Sequence, residues 1–145
     1  MSSIKHRGFK LRWVWAALCG GCIVALGCGR AGDGPPRYTL SGTVTFDGKP
    51  VPYGTVFMSP DTSQGNSGPG AFAQIRDGKY RTARGAGTVG GPHLLEVMGF
   101  RSFPGEEGFD PETGILFDAY ELAVDLPKEN STYDIAVPVE AAAQR

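Results

Sequence analysis

The chain has 145 residues, with 14 Lys plus Arg against 15 Asp plus Glu and a formal net charge of -1. That balance excludes an overall basic footprint, so no nucleic-acid partner is expected. Its 22 glycines and 11 prolines are about twice the usual share without reaching the ~25–30% of low-complexity chains. Composition and length together point to one turn-rich all-β domain with a modest core.

The charge is unevenly spread along the chain. Lys5, Arg7, Lys10 and Arg12 precede an uncharged run over residues 13–26, WVWAALCGGCIVAL, and no Asp or Glu occurs before Asp33. Such a run is short of the ~20 residues a spanning helix needs, whereas a basic segment followed by an apolar one of this length is the pattern of a secretory signal. The run closes on Val24, Ala25, Leu26, Gly27 and Cys28, a small residue directly before a cysteine. This resembles the lipobox of bacterial lipoproteins, with Ala25 where that family prefers Leu. The resemblance implies cleavage before Cys28, a diacylglyceryl group on its thiol, and acylation of the new amino terminus by a chain such as palmitate.

Two or more acyl chains hold a protein durably on a bilayer where one holds it marginally. Cys28 is therefore expected to be a lipidation site and a membrane the first partner, which places the protein in the cell envelope. Gly29 follows the cysteine where Asp would retain a lipoprotein at the inner membrane, so the outer membrane is favoured, facing the periplasm or the surface. Cys19 and Cys22 form a C-x-x-C pair inside the apolar run and read as small apolar residues of a removed signal rather than a redox or zinc pair. The expected organisation is residues 1–27 as signal peptide, 28–37 as flexible tether and 38–145 as the domain. Removing four basic residues with the signal leaves ten basic against fifteen acidic, a balance that disfavours polyanions in general.

From Tyr38 the pattern becomes period-two. Tyr38, Leu40, Gly42, Val44 and Phe46 alternate with Thr39, Ser41, Thr43 and Thr45, followed at once by Asp47-Gly48. This predicts a strand and a two-residue turn, with residues 51–59 returning as its partner strand. Residues 60–70 (PDTSQGNSGPG) read as a loop, and residues 71–76 and 79–82 flank a second turn at Asp77-Gly78. Four glycines over 85–92 punctuate again before a strand at 93–100 with Leu95 and Val97 facing inward. Two further strands follow, one through Tyr120, Leu122, Val124 and Leu126 and one through Tyr133, Ile135, Val137 and Val139, with the KENS turn between. No useful helical stripe appears after residue 30. The expected fold is a single antiparallel β-sandwich of about seven strands.

The runs SGTVTFDGKPVPYGTV (residues 41–56), AQIRDGKY (73–80) and GPHLLEV (91–97) together resemble the carboxypeptidase regulatory-like domain found in small bacterial envelope lipoproteins. The resemblance covers most of residues 38–100 and more loosely 115–139, and implies a prealbumin-like (transthyretin-like, broadly Ig-like) sandwich acting as an accessory module without peptidase activity. His93 stands where that family usually has Tyr, and residues 101–114 form a long insertion.

A zinc hydrolase needs a cluster of protein ligands and a base, and the chain beyond residue 27 has one histidine, His93, at an inward strand position. Transthyretin-like hydrolases gather several histidines, an arginine and a Tyr-Arg-Gly-Ser tail; the sequence here reads Ala-Ala-Ala-Gln-Arg at its end, so that activity is the weaker alternative. No G-x-S-x-G occurs to suggest a serine nucleophile. The expectation is a non-enzyme with no cofactor and no metal. The candidate contact surface is the loop 101–114 with Phe103, Glu106, Glu107, Phe109, Asp110 and Glu112, meeting an envelope protein or polysaccharide. Calcium is a lesser possibility for its carboxylates. Phe100, Phe103, Phe109 and Phe117 bracket the loop and are expected to cover the open end of the sandwich rather than form a patch. The structural alternative is an envelope element that pairs by its sheet edges.

Overall fold

Period-two alternation becomes strand along most of the domain. The computed structural model describes residues 34–103, 105, 107 and 109–143, with backbone alone at 111, 112, 142 and 143. The expected signal, Cys28 and most of the tether lie outside the described residues, and the elements named below all belong to the unit Pro35–Arg145.

Nine strands occur among the described residues: β1 (Leu40–Phe46), β2 (Lys49–Pro50), β3 (Tyr53–Pro60), β4 (Ala71–Arg76), β5 (Lys79–Arg81), β6 (Gly91–Phe100), β7 (Ile115–Leu126), β8 (Ser131–Thr132) and β9 (Ile135–Val137). One four-residue helix, α1 (Pro111–Gly114), and two 3-10 turns, Thr62–Gln64 and Val139–Ala143, complete the described elements. The strands form one sheet in the order β2-β1-β5-β4-β3-β6-β7, with β8 and β9 on the free side of β1. Along that path neighbours are antiparallel, whereas β8 and β9 run parallel to β1.

The sheet is curled. Phe46 of β1 stacks on Phe117 of β7, with ring centroids 5.2 Å apart, although five steps of strand order separate β1 from β7. The 3-10 turn at Val139–Ala143 packs against β7 and closes the same side. Curling makes one face an interior: Leu40, Val44, Val56, Met58, Ile75, Leu95, Val97 and Phe117 are almost fully buried. Each such side chain stabilises the fold by about 1.5–3 kcal/mol relative to exposure. In β4 the alternation is complete, with Ala71, Ala73 and Ile75 inward and Phe72, Gln74 and Arg76 outward.

Three expectations need correction. The hairpin over residues 38–59 is only two residue pairs deep, Thr45 with Pro50 and Phe46 with Lys49. Val51 still donates to the Val44 carbonyl at 3.0 Å, but the Val44 N–H donates to the Gly78 carbonyl and the Gly78 N–H to the Val51 carbonyl, each at 2.8 Å, so the second turn wedges between the two segments and β3 pairs with β4 and β6 instead. The strand placed at Tyr120 begins at Ile115 and pairs with β6. The final strand stops at Val137; Pro138 and a 3-10 turn follow, and Val139 is exposed rather than in the core. The second hairpin stands as expected, with Ile75 opposite Tyr80 and Arg76 opposite Lys79.

Candidate functional site

The loop after β6 is tied at its neck. The Arg101 backbone N–H donates to the Gly114 carbonyl at 2.8 Å, and its Nε donates to the Thr113 carbonyl at 3.0 Å. Asp110 is drawn into the same knot: its Oδ2 accepts from Thr113 Oγ1 at 2.9 Å, and its carbonyl accepts from the Gly114 N–H at 2.6 Å. Glu107 is exposed. Glu106 and the side chain of Glu112 lie outside the described residues. Among the described residues no group of three His, Cys, Asp or Glu is placed to hold a metal ion.

The four phenylalanines around this loop divide by role. Phe117 is 0% exposed and belongs to the core. Phe109 is half-buried, meets Phe100 edge-on at 6.3 Å, and lies so close to Gly114 that a Cβ there would sit 2.6 Å from its ring. These three cover the end of the sheet. Phe103 instead remains 41% exposed, edge-on to Tyr53 at 5.9 Å and beneath the Arg76 guanidinium at 5.9 Å, within cation–π range. The loop therefore delivers one aromatic ring to the outward face of the sheet.

His93 is 1% exposed. Its Nδ1 lies 2.9 Å from the Gly91 carbonyl and 3.5 Å from Asn66 Nδ2, while Nε2 is enclosed and without a partner among the described residues. Around it the polar groups are spent on structure. Asn66 Nδ2 donates to the carbonyls of Gly90 and Pro92. Asp61 accepts from the backbone N–H and hydroxyl of Ser63 and from Gln64 Nε2. The Ser63 and Gln64 side-chain bonds hold the Asp61 carboxyl below the usual carboxylate range. The arrangement staples the 61–70 loop to the start of β6, and Ser63 turns its hydroxyl to Asp61 rather than to the histidine.

The feature that sequence reasoning missed is the outward face over β1, β5 and β4. An open groove of about 780 Å³ lies there, lined by Ser41, Thr43, Gln74, Arg76, Lys79 and Arg81 among others. Register sets its layout: Thr43 faces Lys79, Lys79 faces Arg76 and Arg76 faces Tyr53, one row of side chains crossing four strands. At one end stand Phe57 and Phe72, 41% and 42% exposed, tilted against each other at 5.0 Å. At the β8–β9 rim Asp134 accepts from the Thr43 N–H and hydroxyl, each at 2.8 Å, and the backbone bond before the hydroxyl bond keeps its carboxyl below the ordinary range.

Below the groove, Tyr80 donates its hydroxyl to the Tyr133 carbonyl at 2.7 Å. Burial first, then the charge of Asp134 and the neighbouring Tyr133, pushes its pKa well above the ordinary tyrosine range. Gly42 makes this contact possible, because a Cβ there would sit 1.9 Å from the same carbonyl oxygen. The one trace of this face in the sequence is the outward set Gln74, Arg76, Lys79 and Arg81 around the Asp77-Gly78 turn; what hides it is that walls such as Thr43 and Asp134 lie about ninety residues apart in the chain. Compared with protein-family models and with curated proteins, the chain matches none.

Proposed function

We propose that this protein is a non-catalytic lipoprotein of the cell envelope, anchored through acyl chains on Cys28, whose β domain presents its outward sheet face to an envelope protein or polysaccharide. The observation that carries the binding part is the outward face itself: exposed Phe57, Phe72 and Phe103 stand beside Arg76, Lys79 and Arg81. Aromatic rings and arginines of this kind are what recognition surfaces concentrate. The binding site is thus moved from the carboxylates of the 101–114 loop to the sheet, with Phe103 as the loop's contribution.

The anchor rests on the residues before Cys28, and the prealbumin-like sandwich on the β1–β7 contact that closes the curled sheet. Among the described residues no helix is long and apolar enough to cross a membrane. A non-catalytic role is supported by the single histidine of the domain being walled into the core and occupied with Gly91. Edge pairing is supported less well: β7, at one end of the strand order, has a positive φ of 47° at Ala119, shifted register near Gly99 and exposed Asp118, Glu121 and Asp125, devices that blunt an edge.

The test is Cys28→Ala. The variant is expected in the soluble envelope fraction while the parent protein stays with the detergent-extracted membrane, and intact mass of the parent should show diacylglyceryl and acyl additions on a chain beginning at residue 28. A bare thiol at Cys28 or an uncleaved amino terminus would overturn the anchor. A triple Phe57→Ser, Phe72→Ser, Phe103→Ser variant that captures the same neighbours in crosslinked cells would overturn the face.

A further inference from the structure

We infer that the groove over β1, β5 and β4 takes an anionic polysaccharide, a chain of carboxylate-bearing sugars; the inference rests on the reading of this face as a binding surface and names its ligand class. Arg76 and Lys79 are direct cross-strand partners, which places their Cα atoms about 5 Å apart, and Arg81 follows Lys79 on the same face about 7 Å along the strand. Like charges directly opposite each other destabilise a sheet. Among the described residues none of the three forms an ion pair: Arg76 donates to Gln74 Oε1 and overhangs Phe103. The one carboxylate on the groove wall, Asp134, turns an oxygen to Thr43 at the β8–β9 rim and forms no ion pair with these cations among the described residues. The sheet therefore holds three cations together at a cost that an anion in the groove would relieve.

The remainder of the lining narrows the anion. Ser41, Thr43, Thr132 and Gln74 supply hydroxyls and an amide, the donors and acceptors that sugar hydroxyls require. Phe72 lines the same groove and, with Phe57, offers exposed ring faces for the apolar side of a sugar ring. The volume of about 780 Å³ lies within the ~300–1,000 Å³ usual for ligand sites. The strands below are hydrogen-bonded to neighbours on both sides, so a peptide has no edge to extend here and recognition falls to side chains. The rest of the outward face steers the polymer: Glu96 and Glu121 oppose each other across β6 and β7 and repel an anionic chain toward β5 and β4.

The experiment uses the full-length lipidated protein in detergent, with sodium polygalacturonate as the probe and fully methyl-esterified polygalacturonate, dextran, polyglutamate and phosphatidylglycerol vesicles as comparisons. Retention by polygalacturonate is expected, weakening as salt rises and falling about two- to fivefold for each of Arg76→Gln, Lys79→Gln and Arg81→Gln, and tenfold or more for the three combined. Lys49→Gln, away from the groove, should leave binding unchanged, and circular dichroism and the thermal melt report whether each variant is folded. Phe72→Ala should weaken polygalacturonate severalfold. Equal binding of the methyl-esterified polymer, unchanged binding by the folded triple variant, or no retention of polygalacturonate would each overturn the inference. Retention of polyglutamate or the vesicles in place of polygalacturonate would overturn it too, while leaving the face as a binding surface. The state of Cys28, read separately by mass, decides the anchor independently of all these outcomes.

Discussion

Gly99→Ala probes the closure of the sheet directly. Gly99 is the register partner of Phe117, and an added Cβ would lie 2.3 Å from one ring carbon of Phe117 and 2.6 Å from another. The ring has little freedom to yield, because it is fully buried and stacked on Phe46 at 5.2 Å with 30° between planes. Overpacking of this kind costs about 1–3 kcal/mol, and displacing the ring from Phe46 forfeits a further ~0.5–1.5 kcal/mol, so a loss of about 2–3 kcal/mol is expected. Phe117→Leu alone leaves a small void and should cost about 2 kcal/mol. In the double variant the methyl introduced by Gly99→Ala occupies space the ring has vacated. Its cost should then stay near that of Phe117→Leu alone, giving a favourable coupling of at least about 1 kcal/mol. Urea unfolding at constant m-value measures all four corners of the cycle. Costs that add to within about 0.5 kcal/mol would refute the geometry and with it the contact through which β1 and β7 meet.

Four other outcomes rest on the same set of contacts. Tyr80→Phe removes the bond to the Tyr133 carbonyl and should cost about 1–2 kcal/mol at neutral pH. Because the folded pKa of Tyr80 is raised, the parent should also lose stability as pH rises above about 10, and a titration in which the phenylalanine variant loses as much would refute the assignment. Asp61 and Asp134 have folded pKa values below their ordinary 3.8, so their stabilisation is present above about pH 4 and lost as pH falls through the folded values. The double Asp61→Asn, Asp134→Asn variant should flatten that acid limb in urea midpoints taken from about pH 5 down to about pH 2.5; an undiminished limb would count against both. His93→Ala opens a cavity and strands the Gly91 carbonyl, at a cost of about 2–4 kcal/mol, and a change under about 0.5 kcal/mol, the range of ordinary surface substitutions, would remove it from the core. Thermal melts in millimolar calcium and in chelator should coincide, since Asp110 is engaged by Thr113; a calcium-dependent rise would restore the loop as a cation site.

What the sequence makes legible in this protein is local. Asp47-Gly48 and Asp77-Gly78 both adopt positive φ at both residues, so each dipeptide announces its turn whatever the rest of the chain does. The alternation in β4 is likewise a property of neighbours and survives unchanged. Pairing is different in kind. Residues 51–59 carry a good strand pattern, yet the pattern does not name a partner: the distant turn at Asp77-Gly78 takes the Val44 N–H and the Val51 carbonyl, and β3 goes to β4 and β6. The C-terminal strands lie parallel beside β1 through contacts about ninety residues apart, such as Thr39 with Asn130 and Thr43 with Asp134.

The groove inherits this non-locality. Its cations come from one hairpin, its hydroxyls from β1 and β8, and its aromatic end from β3 and β4. No window of sequence contains them together. A chain whose net charge speaks against polyanions can therefore still build a cationic surface, because Arg76, Lys79 and Arg81 share one hairpin while strand order brings hydroxyls and aromatic rings from distant segments beside them. Acidic residues on β6 and β7 balance the total without entering the groove. The polarity of the face, rather than the sum of its charges, decides what it attracts.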